Sequence, residues 1–221
     1  MRIIEPTFKL LNPVDREEGV AMLQSIEMFA RISHRAEDKK TDTSWERFVK
    51  AVVMEHGDWS VVEHVYSSVI FRVDRGVTHE LVRHRLFAFT QESTRFVNGK
   101  KSNPDGLEFI KPINLSNVNS HDEFHDMMQQ CETAYLLMLE DGTRPQEARS
   151  VLPNALAATI AVTGNLRNWR HFLLMRTSKE THPDFCRVTY PLLLQFKERV
   201  PILFDDIEPG LRQIDNMRKP R

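Results

Sequence analysis

The feature that most constrains the fold is the irregular order in which helical and strand-like patterns follow one another. Apolar residues recur at helical spacing over residues 14–31, and the longest helical pattern covers residues 121–140. Residues 65–73 instead alternate small or polar side chains with apolar ones and are rich in β-branched residues, which is typical of a strand. Because these patterns do not repeat as regular strand–helix–strand units, we expect one α+β domain over residues 1–221.

The remaining segments carry shorter signals. Thr43-Ser44-Trp45-Glu46 fits a capping box, which predicts a helix toward His56 that Gly57 stops. Residues 87–101 have no clear period and are expected to form a loop or an irregular strand. The other expected elements are helices over residues 78–85, 144–151, 165–176 and 183–199, strands over 108–112 and 157–163, a turn at 103–106 and a frayed basic tail at 217–221.

The composition argues against several classes of protein. The chain has 221 residues, 41% of them hydrophobic, and a formal net charge of -1, which does not suit a protein that coats nucleic acid or an anionic membrane. No apolar run approaches the ~20 residues of a membrane span, and no signal-peptide pattern is present. The cysteines, Cys131 and Cys186, are far apart and indicate neither a disulfide framework nor a zinc site. We therefore expect a cytoplasmic protein.

Anion binding by this chain must depend on side chains. The eight glycines form neither a dinucleotide-binding fingerprint nor a P-loop. Arginine is the suitable alternative, because its planar guanidinium group can pair with two phosphate oxygens at once. The arginines are concentrated in two segments, Arg83, Arg85 and Arg95 in the first and Arg167, Arg170 and Arg176 in the second, with Arg149 alone in an apolar stretch.

Arg83 and Arg85 differ from ordinary surface arginines, which pair with nearby carboxylates and contribute little. On a helix, two residues at this spacing point about 200° apart and cannot share one face. Either one of them faces inward and needs an anionic partner, or the helix ends at this point. The first alternative requires a carboxylate of the protein or an anionic ligand.

Two other groups of residues are weaker candidates for chemistry. His121 and His125 have the spacing of a zinc pair on a helix, but no HExxH pattern occurs and their acidic neighbours are typical of a solvated face. We therefore predict no metal. Ser93 has no base beside it in the sequence, so its hydroxyl is expected to bind a local backbone group unless it contacts a ligand.

The segment from Arg83 to Ser93 reads Arg-His-Arg, seven further residues and Ser. This pattern resembles the signature of the flavin-dependent thymidylate synthases. Further segments are similar to the same family in the same order. They are His56-Gly57 with Ser60 and Glu63-His64, Gln91-Glu92-Ser93-Thr94-Arg95-Phe96, Glu147-Ala148-Arg149-Ser150-Val151-Leu152-Pro153, and Asn165, Arg167, His171-Phe172 and Arg176. The resemblance covers roughly residues 50–180 and implies an α+β fold with a mainly antiparallel sheet flanked by long helices, assembled as a homotetramer with sites at subunit interfaces.

The resemblance also implies an activity, the reductive methylation of dUMP to dTMP. Methylenetetrahydrofolate would donate the carbon, NADPH would reduce tightly bound FAD, and no enzyme nucleophile would be used. Flavin contacts are implied for Ser60, Arg83, His84, Arg85, Gln91, Asn165, Arg167 and His171. Nucleotide contacts are implied for Glu80, Arg83, Gln91, Ser93, Arg95, Arg149 and Arg176. Arg176 would be the catalytic residue, because its charge can stabilise negative charge that develops on the uracil ring.

Several positions depart from familiar members of the family. Glu80 stands where some have Gln, Gln91 stands where some have Glu, and Phe96 replaces a frequent Tyr. Asp58 occupies a position near folate that is His in some members, and Trp59 is a candidate to supply stacking there instead. These departures affect the expected folate contacts more than the flavin or nucleotide contacts.

Three alternatives to this activity can be compared. A nucleic-acid-binding protein that uses the arginine clusters is disfavoured by the near-neutral charge. A structural oligomer that has lost catalysis is disfavoured by the presence of Arg149 and Arg176 together with the Arg-His-Arg segment. A related flavoprotein that modifies dUMP with a different one-carbon product stays open.

Overall fold

The computed structural model describes residues 1–96, 105–115 and 118–210 and has the predicted α+β architecture. Its strands are β1 (Arg2–Ile4), β2 (Thr7–Asn12), β3 (Tyr66–Asp74), β4 (Ala88–Gln91), β5 (Glu108–Ile110) and β6 (Ala157–Asn165). The larger sheet has four strands in the order β2-β3-β6-β4 and is antiparallel. A separate pair joins β1 and β5 in parallel, with Ile3 opposite Phe109.

Helices make up most of the remaining regular structure. The α-helices are α1 (Arg16–Ile32), α2 (Ser44–Phe48), α3 (Arg75–Leu81), α4 (Val118–Glu140), α5 (Pro145–Ala148), α6 (Leu166–Arg176) and α7 (Pro183–Arg199). Single turns or short runs of tighter helix cover Glu37–Lys39, Trp59–His64 and Arg149–Val151, and Val49–Glu55 is a π-helix. Among the helices of the described residues, none has both the length and the apolar character needed to cross a membrane.

The described residues form two compact units. The first comprises Met1–Thr7, Phe71–Arg83 and Thr90–Ala161. Its apolar core packs Phe109 of β5 and Leu107 just before it with Met128 and Tyr135 of α4. Met128 and Tyr135 are seven residues apart, so they lie on one face of the helix and bury it against the strand.

The second unit comprises Phe8–Ile70, His84–Phe89 and Val162–Arg221. The buried rings of Trp169 and Phe172 in α6 contact Phe87, with ring centroids 4.8 and 5.9 Å away. The Trp169 indole N–H donates to the Ser67 carbonyl at 2.9 Å, so its polar atom is satisfied inside the core. A Cβ atom on Gly164 would lie 2.4 Å from the Phe87 ring, so only glycine lets this ring pack against β6.

Two strands pass into helices without an intervening loop. At the end of β3, the Asp74 carboxylate accepts a hydrogen bond of 2.9 Å from the Val77 amide and caps α3. At the end of β6, the Asn165 side chain accepts one of 2.9 Å from the Asn168 amide and caps α6. Each cap stabilises its helix by about 1 kcal/mol and has extended backbone angles, so one residue ends the strand and starts the helix.

Most predicted elements are confirmed, with ends shifted by a few residues. The helix expected over residues 78–85 is wrong in its bounds, because Asp74 starts it early and the chain turns at residues 82–83. Residues 87–101, predicted as a loop or an irregular strand, contain the short strand β4. Residues 97–101, Asn103 and Pro104 of the predicted turn, and the tail at 217–221 lie outside the described residues. One domain over residues 1–221 stays a prediction.

The capping box at Thr43 is a second correction. The Thr43 side chain makes no capping hydrogen bond, and the hydroxyl of Ser44 donates instead to the fully buried carboxylate of Glu27 at 2.7 Å. The helix expected to reach His56 is α-helical only to Phe48, and it continues as the π-helix Val49–Glu55.

Candidate functional site

The predicted site residues are distributed over both units. Those expected only at the nucleotide lie mostly in the first unit, whereas those expected only at the flavin lie in the second. The first unit holds Glu80, Arg83, Gln91, Ser93, Arg95 and Arg149, and the second holds Ser60, His84, Arg85, Asn165, Arg167, His171 and Arg176. Arg176 is the exception, because it is a predicted nucleotide residue in the second unit.

The segment that follows β4 presents two predicted nucleotide residues. The Ser93 hydroxyl accepts a hydrogen bond of 3.3 Å from the Arg95 amide, which is the local backbone contact expected for a loop serine. The guanidinium group of Arg95 is exposed and lies 5.4 Å from the centre of the Phe96 ring. Gln91, the last residue of β4, donates to the hydroxyl of the buried Thr78 at 3.1 Å.

Glu92 holds this segment on the first unit. Its carboxylate accepts hydrogen bonds from Arg72 at 2.7 Å and from the Thr159 amide at 3.2 Å. The Glu92 amide donates in turn to the Thr159 carbonyl at 2.8 Å, and Arg72 also pairs with Glu108. Because these groups are only partly exposed, the ion pairs are stronger than surface pairs, and they fix the chain on which Ser93 lies.

Arg149 lies in the short helix after α5 and belongs to the same unit. Its Nη1 atom donates to the Thr94 hydroxyl at 3.3 Å, and its Nε atom donates to the Gln146 carbonyl at 3.2 Å. The side chain is exposed, and no carboxylate pairs with it within the described residues. The structure therefore brings Arg149 next to the segment that carries Ser93 and Arg95.

The Arg-His-Arg segment forms a turn after α3. The helix ends at Leu81, which confirms the second of the two alternatives for Arg83 and Arg85. Both arginines are exposed, and within the described part of the chain their guanidinium groups have no hydrogen-bond or ion-pair partner. The turn is held by Phe87, which is buried, and by Asn168, whose side chain donates to the Leu86 carbonyl at 3.1 Å.

His84, between the two exposed arginines, is half-buried and contacts α6. The Nε atom of Arg176 donates to His84 Nε2 at 2.9 Å, and the edge of the imidazole faces Phe172 at 4.9 Å between ring centroids. Burial, followed by the nearby charges of Arg176 and His171, lowers the pKa of His84 from 6.5 to about 4. The His84 imidazole is therefore neutral at neutral pH. The Arg176 guanidinium group also lies over the Phe185 ring, 5.1 Å from its centre.

The other predicted flavin residues of the second unit have separate environments. Asn165 caps α6 through its side chain, as described above. Arg167 pairs with Glu63, which lies in the segment that resembles the family's upstream flavin region. His171 and Ser60 are exposed, and no hydrogen bond of their side chains occurs among the described residues.

Trp59, the candidate for ring stacking, has one face covered by an arginine. The Arg170 guanidinium lies 4.8 Å from the centre of a Trp59 ring and pairs through two nitrogens with the Asp206 carboxylate. The hydrogen bond from Arg170 lowers the pKa of Asp206 below its usual value of 3.8. Asp58, the neighbouring departure from the family pattern, is exposed.

The histidine pair on α4 does not form a metal site within the described residues. His121 contacts the Leu115 carbonyl through Nε2 at 2.6 Å, and its Nδ1 atom lies 3.2 Å from the Lys111 amine. Both ring nitrogens therefore have partners other than His125. In the described ranges, no group of three potential metal ligands occurs.

Sequence reasoning did not single out four residues that support this arrangement. Arg72 and Glu92 fix the segment after β4, and Thr94 links that segment to Arg149. Arg75 lines an open pocket together with Thr94 and Arg149. Only Glu92 and Thr94 had a signal, since both lie inside a segment that resembles the family. Arg72 occupies a polar position in the alternating pattern of the predicted strand over residues 65–73, and nothing in the sequence distinguishes it from the other polar positions.

Comparison with known proteins identifies the class to which this fold and these arginine-rich segments belong. A family model described as thymidylate synthase complementing protein matches residues 20–202. A protein named flavin-dependent thymidylate synthase from Mycobacteroides abscessus is 31% identical over 206 residues, covering 88% of this chain and 82% of that protein. A protein of the same name from Corynebacterium diphtheriae is 35% identical over 174 residues, covering 72% and 68%. The chain therefore belongs to the family of the flavin-dependent thymidylate synthases.

The fold comparison agrees with this assignment. The crystal structure of a UMP/dUMP methylase, PolB from Streptomyces cacaoi, bound with 5-Br dUMP has a TM-score of 0.74. The match covers 93% of this chain and 96% of that chain at 19% sequence identity. At this identity the similarity shows a shared fold, which confirms the predicted fold class.

Proposed function

We propose that this protein is a flavin-dependent thymidylate synthase that converts dUMP to dTMP. Methylenetetrahydrofolate is the carbon donor, NADPH is the reductant and FAD is the cofactor. The observation that carries the proposal is the turn after α3, where Arg83 and Arg85 are exposed and unpaired within the described residues. Two exposed cations that are two residues apart in the chain, and that have no partner in its described part, suit a ligand with several negative charges.

The residues present fit a flavin dinucleotide. Its pyrophosphate needs hydrogen-bond donors, and this chain lacks a glycine-rich loop to supply backbone amides. Arg83, Arg85, His171 and Ser60 are exposed donors without protein partners in the described part of the chain. Together with His84, Gln91, Asn165 and Arg167 they would hold the cofactor. When bound, the flavin supplies the hydride that completes the methyl group.

The nucleotide residues have a different character. Ser93, Arg95 and Arg149 lie on adjacent segments of the first unit, and Arg149 reaches the Thr94 hydroxyl between the other two. Their charge and hydroxyl groups suit a phosphate. Glu80, Gln91 and Arg83 are assigned to the same substrate on the basis of the family pattern.

Arg176 is the proposed catalytic residue. Uracil becomes nucleophilic at carbon 5 when negative charge develops on the ring, and a fixed guanidinium group stabilises that charge. The contacts of Arg176 with His84 and with the Phe185 ring keep the guanidinium group in one orientation. This fixed orientation matters because a charged side chain that had to move into position during the reaction would stabilise the transition state less than one that is already in place.

The proposed reaction uses no enzyme nucleophile. Cys186 is buried and its thiol points to the Arg176 carbonyl at 3.8 Å, which leaves it inaccessible to a substrate. Cys131 lies on α4, and neither cysteine is among the predicted site residues. Folate binding, the homotetramer with sites at subunit interfaces and a cytoplasmic location remain predictions from the resemblance, as does the absence of nucleic-acid and membrane partners.

The experiment that tests the proposal starts with the purified protein. It should carry or take up flavin with absorbance at about 450 nm, and it should form dTMP from dUMP with methylenetetrahydrofolate and NADPH. Mass analysis of the product separates dTMP from a different one-carbon product. Protein that stays colourless with added FAD and makes no modified nucleotide would overturn the proposal.

Matched variants test the observation that carries the proposal. The double change Arg83→Gln and Arg85→Gln should lower flavin affinity by at least ~10-fold, because two charged hydrogen bonds are lost. Arg35→Gln, which removes another exposed arginine, should leave flavin affinity unchanged. Equal flavin affinity in the wild type, the double variant and the Arg35→Gln variant would show that the Arg-His-Arg turn does not contribute to cofactor binding.

A further inference from the structure

The C-terminal end of α6, where Arg176 is the last residue, is held by three buried threonine hydroxyls. The last carbonyl groups of a helix have no partner inside the helix, and a buried carbonyl without a partner is costly. The hydroxyls of Thr177 and Thr181 donate to other carbonyls of the last turn at 2.7 and 2.8 Å. The hydroxyl of Thr189 donates to the carbonyl of Arg176 itself at 2.6 Å.

Thr189 differs from the other two threonines because it belongs to another helix. It lies inside α7 and is fully buried. Its hydroxyl also lies 3.2 Å from the Phe185 carbonyl, which is the usual contact of a helical threonine with the preceding turn. A hydroxyl has one proton, and the shorter contact shows that the Arg176 carbonyl is the acceptor. Cys186 directs its thiol to the same carbonyl at 3.8 Å, but a thiol is a weak donor, so Thr189 supplies the stronger of these two links.

The same helix also contacts the charged end of the Arg176 side chain. The guanidinium group lies over the Phe185 ring, 5.1 Å from its centre. Phe185 and Thr189 are four residues apart, so they lie on the same face of α7. One contact fixes the backbone from which the side chain starts, and the other supports the group that carries the charge. The direction in which Arg176 points therefore depends on α7 at both ends of the side chain.

We propose that Thr189 is a positioning residue, whose hydroxyl holds the backbone of Arg176 so that the guanidinium group keeps its place beside His84. The proposal rests on the proposed function for the catalytic role of Arg176. The arginine side chain is long, so a small shift of its backbone is carried to the guanidinium group. A misplacement of about 1 Å at a reacting centre lowers turnover by about 100-fold, so a hydrogen bond remote from the substrate affects the rate.

Two substitutions separate the hydroxyl of Thr189 from its methyl group. Thr189→Val keeps the shape of the side chain and loses the hydroxyl, whereas Thr189→Ser keeps the hydroxyl and loses the methyl group. In flavin-loaded Thr189→Val, kcat should fall about 5- to 50-fold, because the Arg176 carbonyl loses its stronger donor from α7. Flavin affinity should stay as in the wild type. Thr189→Ser should keep most of the turnover, although the missing methyl group lowers its stability.

Ser67→Ala is the matched control for a buried hydroxyl. The Ser67 hydroxyl also donates to a backbone carbonyl, that of Asn12, and neither residue is among the predicted site residues. This variant should lose about as much stability to urea as Thr189→Val, while its kcat stays as in the wild type. A fall in kcat as large as that of Thr189→Val would show that the loss of any buried hydroxyl lowers turnover, and it would overturn the specific role of Thr189.

A measurement without substrate separates this inference from the proposed function. The Nε–H proton of Arg176 exchanges with water when its hydrogen bond to His84 opens, and NMR of protein labelled with nitrogen-15 follows that exchange. Arg176→Lys assigns the signal by its loss. Thr189→Val should exchange this proton at least ~10-fold faster than the wild type, whereas Thr189→Ser should not.

The exchange rate decides the role of Thr189 whatever the reaction of the protein is. An unchanged exchange rate in Thr189→Val would overturn the proposal even if the protein makes dTMP. Faster exchange in Thr189→Val alone, in a protein that makes no dTMP, would support the positioning of Arg176 by Thr189 while the proposed function fails.

Discussion

The Nε atom of Arg176 donates a hydrogen bond of 2.9 Å to Nε2 of His84. Because Nε2 is the acceptor, the imidazole proton lies on Nδ1 and the ring is neutral. Its lowered pKa of about 4, caused first by burial and then by the charge of Arg176, is consistent with that state. This bond therefore orients a guanidinium group without neutralising its charge, unlike a bond to a carboxylate.

Replacing His84 should impair turnover by an amount that depends on the substitute. His84→Phe removes the acceptor while keeping an aromatic ring, and we expect kcat to fall roughly 10- to 100-fold, the cost of one charged hydrogen bond. His84→Gln keeps a carbonyl acceptor and should lose less. Steady-state kinetics at saturating dUMP, with flavin occupancy checked by absorbance, measures the difference. Equal kcat in the two flavin-loaded variants would contradict an orienting role.

His84 should also make stability depend on pH. Its pKa is 6.5 when unperturbed and about 4 in the folded protein, so between these values the unfolded chain binds a proton that the folded chain does not. The free energy of unfolding should therefore be highest above pH 6.5 and fall as the pH drops toward 4. Urea unfolding at about pH 7.5 and about pH 5 measures this slope, which His84→Gln should reduce.

Asp206 provides the control for this pH dependence. Its hydrogen bond from Arg170 lowers the carboxyl pKa below 3.8, so its contribution to stability is lost only in more acidic solution. The Asp206→Asn variant should therefore be less stable but keep the wild-type slope between the two pH values. An unchanged slope in His84→Gln would show that other groups control stability in this range.

The cysteines should be dispensable for turnover. Cys131→Ser changes a partly exposed residue of α4, and we expect wild-type kcat. Cys186→Ala leaves a small cavity in the core, which should cost about 1 to 2 kcal/mol of stability without abolishing activity. Thermal unfolding and dTMP formation measure the two effects separately. A folded, flavin-loaded variant without any turnover would show that a cysteine takes part in the reaction.

Gly164 should not accept a side chain while Phe87 is present. The added Cβ of Gly164→Ala would lie 2.4 Å from the Phe87 ring, and we expect a loss of about 1 to 3 kcal/mol in unfolding free energy. The same change in a Phe87→Ala background should cost clearly less, because the clashing ring is absent. Additive losses in this double-mutant cycle would mean that Gly164 matters for a reason other than the ring.

Much of the fold could be predicted because its strongest signals are local. The alternation that ends near Val73 and the Pro at the start of α7 act through neighbouring residues, and the structure confirms both elements. The capping box failed because Thr43, with a φ of -116° and a ψ of -3°, lacks the extended backbone of a capping residue. The neighbouring Ser44 hydroxyl donates to the buried carboxylate of Glu27, and that contact depends on the packing of α1 against α2.

The site could be predicted less completely. The Arg-His-Arg segment indicated anion binding, but its turn conformation depends on a helix start at Asp74 that was expected several residues later. The contact of His84 with Arg176 joins positions that are 92 residues apart, so no local pattern contains it. Arg75 was not singled out, because the pocket that it lines with Thr94 and Arg149 is formed by residues far apart in the sequence.

The capped joint between β6 and α6 limits how the length of this chain can change. No loop separates Asn165 from Leu166, so nothing there can absorb an added residue. Insertion of one residue would rotate the rest of the helix by about 100° and carry Arg176 away from His84. A substitution would leave each residue of the helix on its present face. Relatives that keep this contact should therefore differ from this chain by replacements at the joint, with insertions and deletions placed elsewhere.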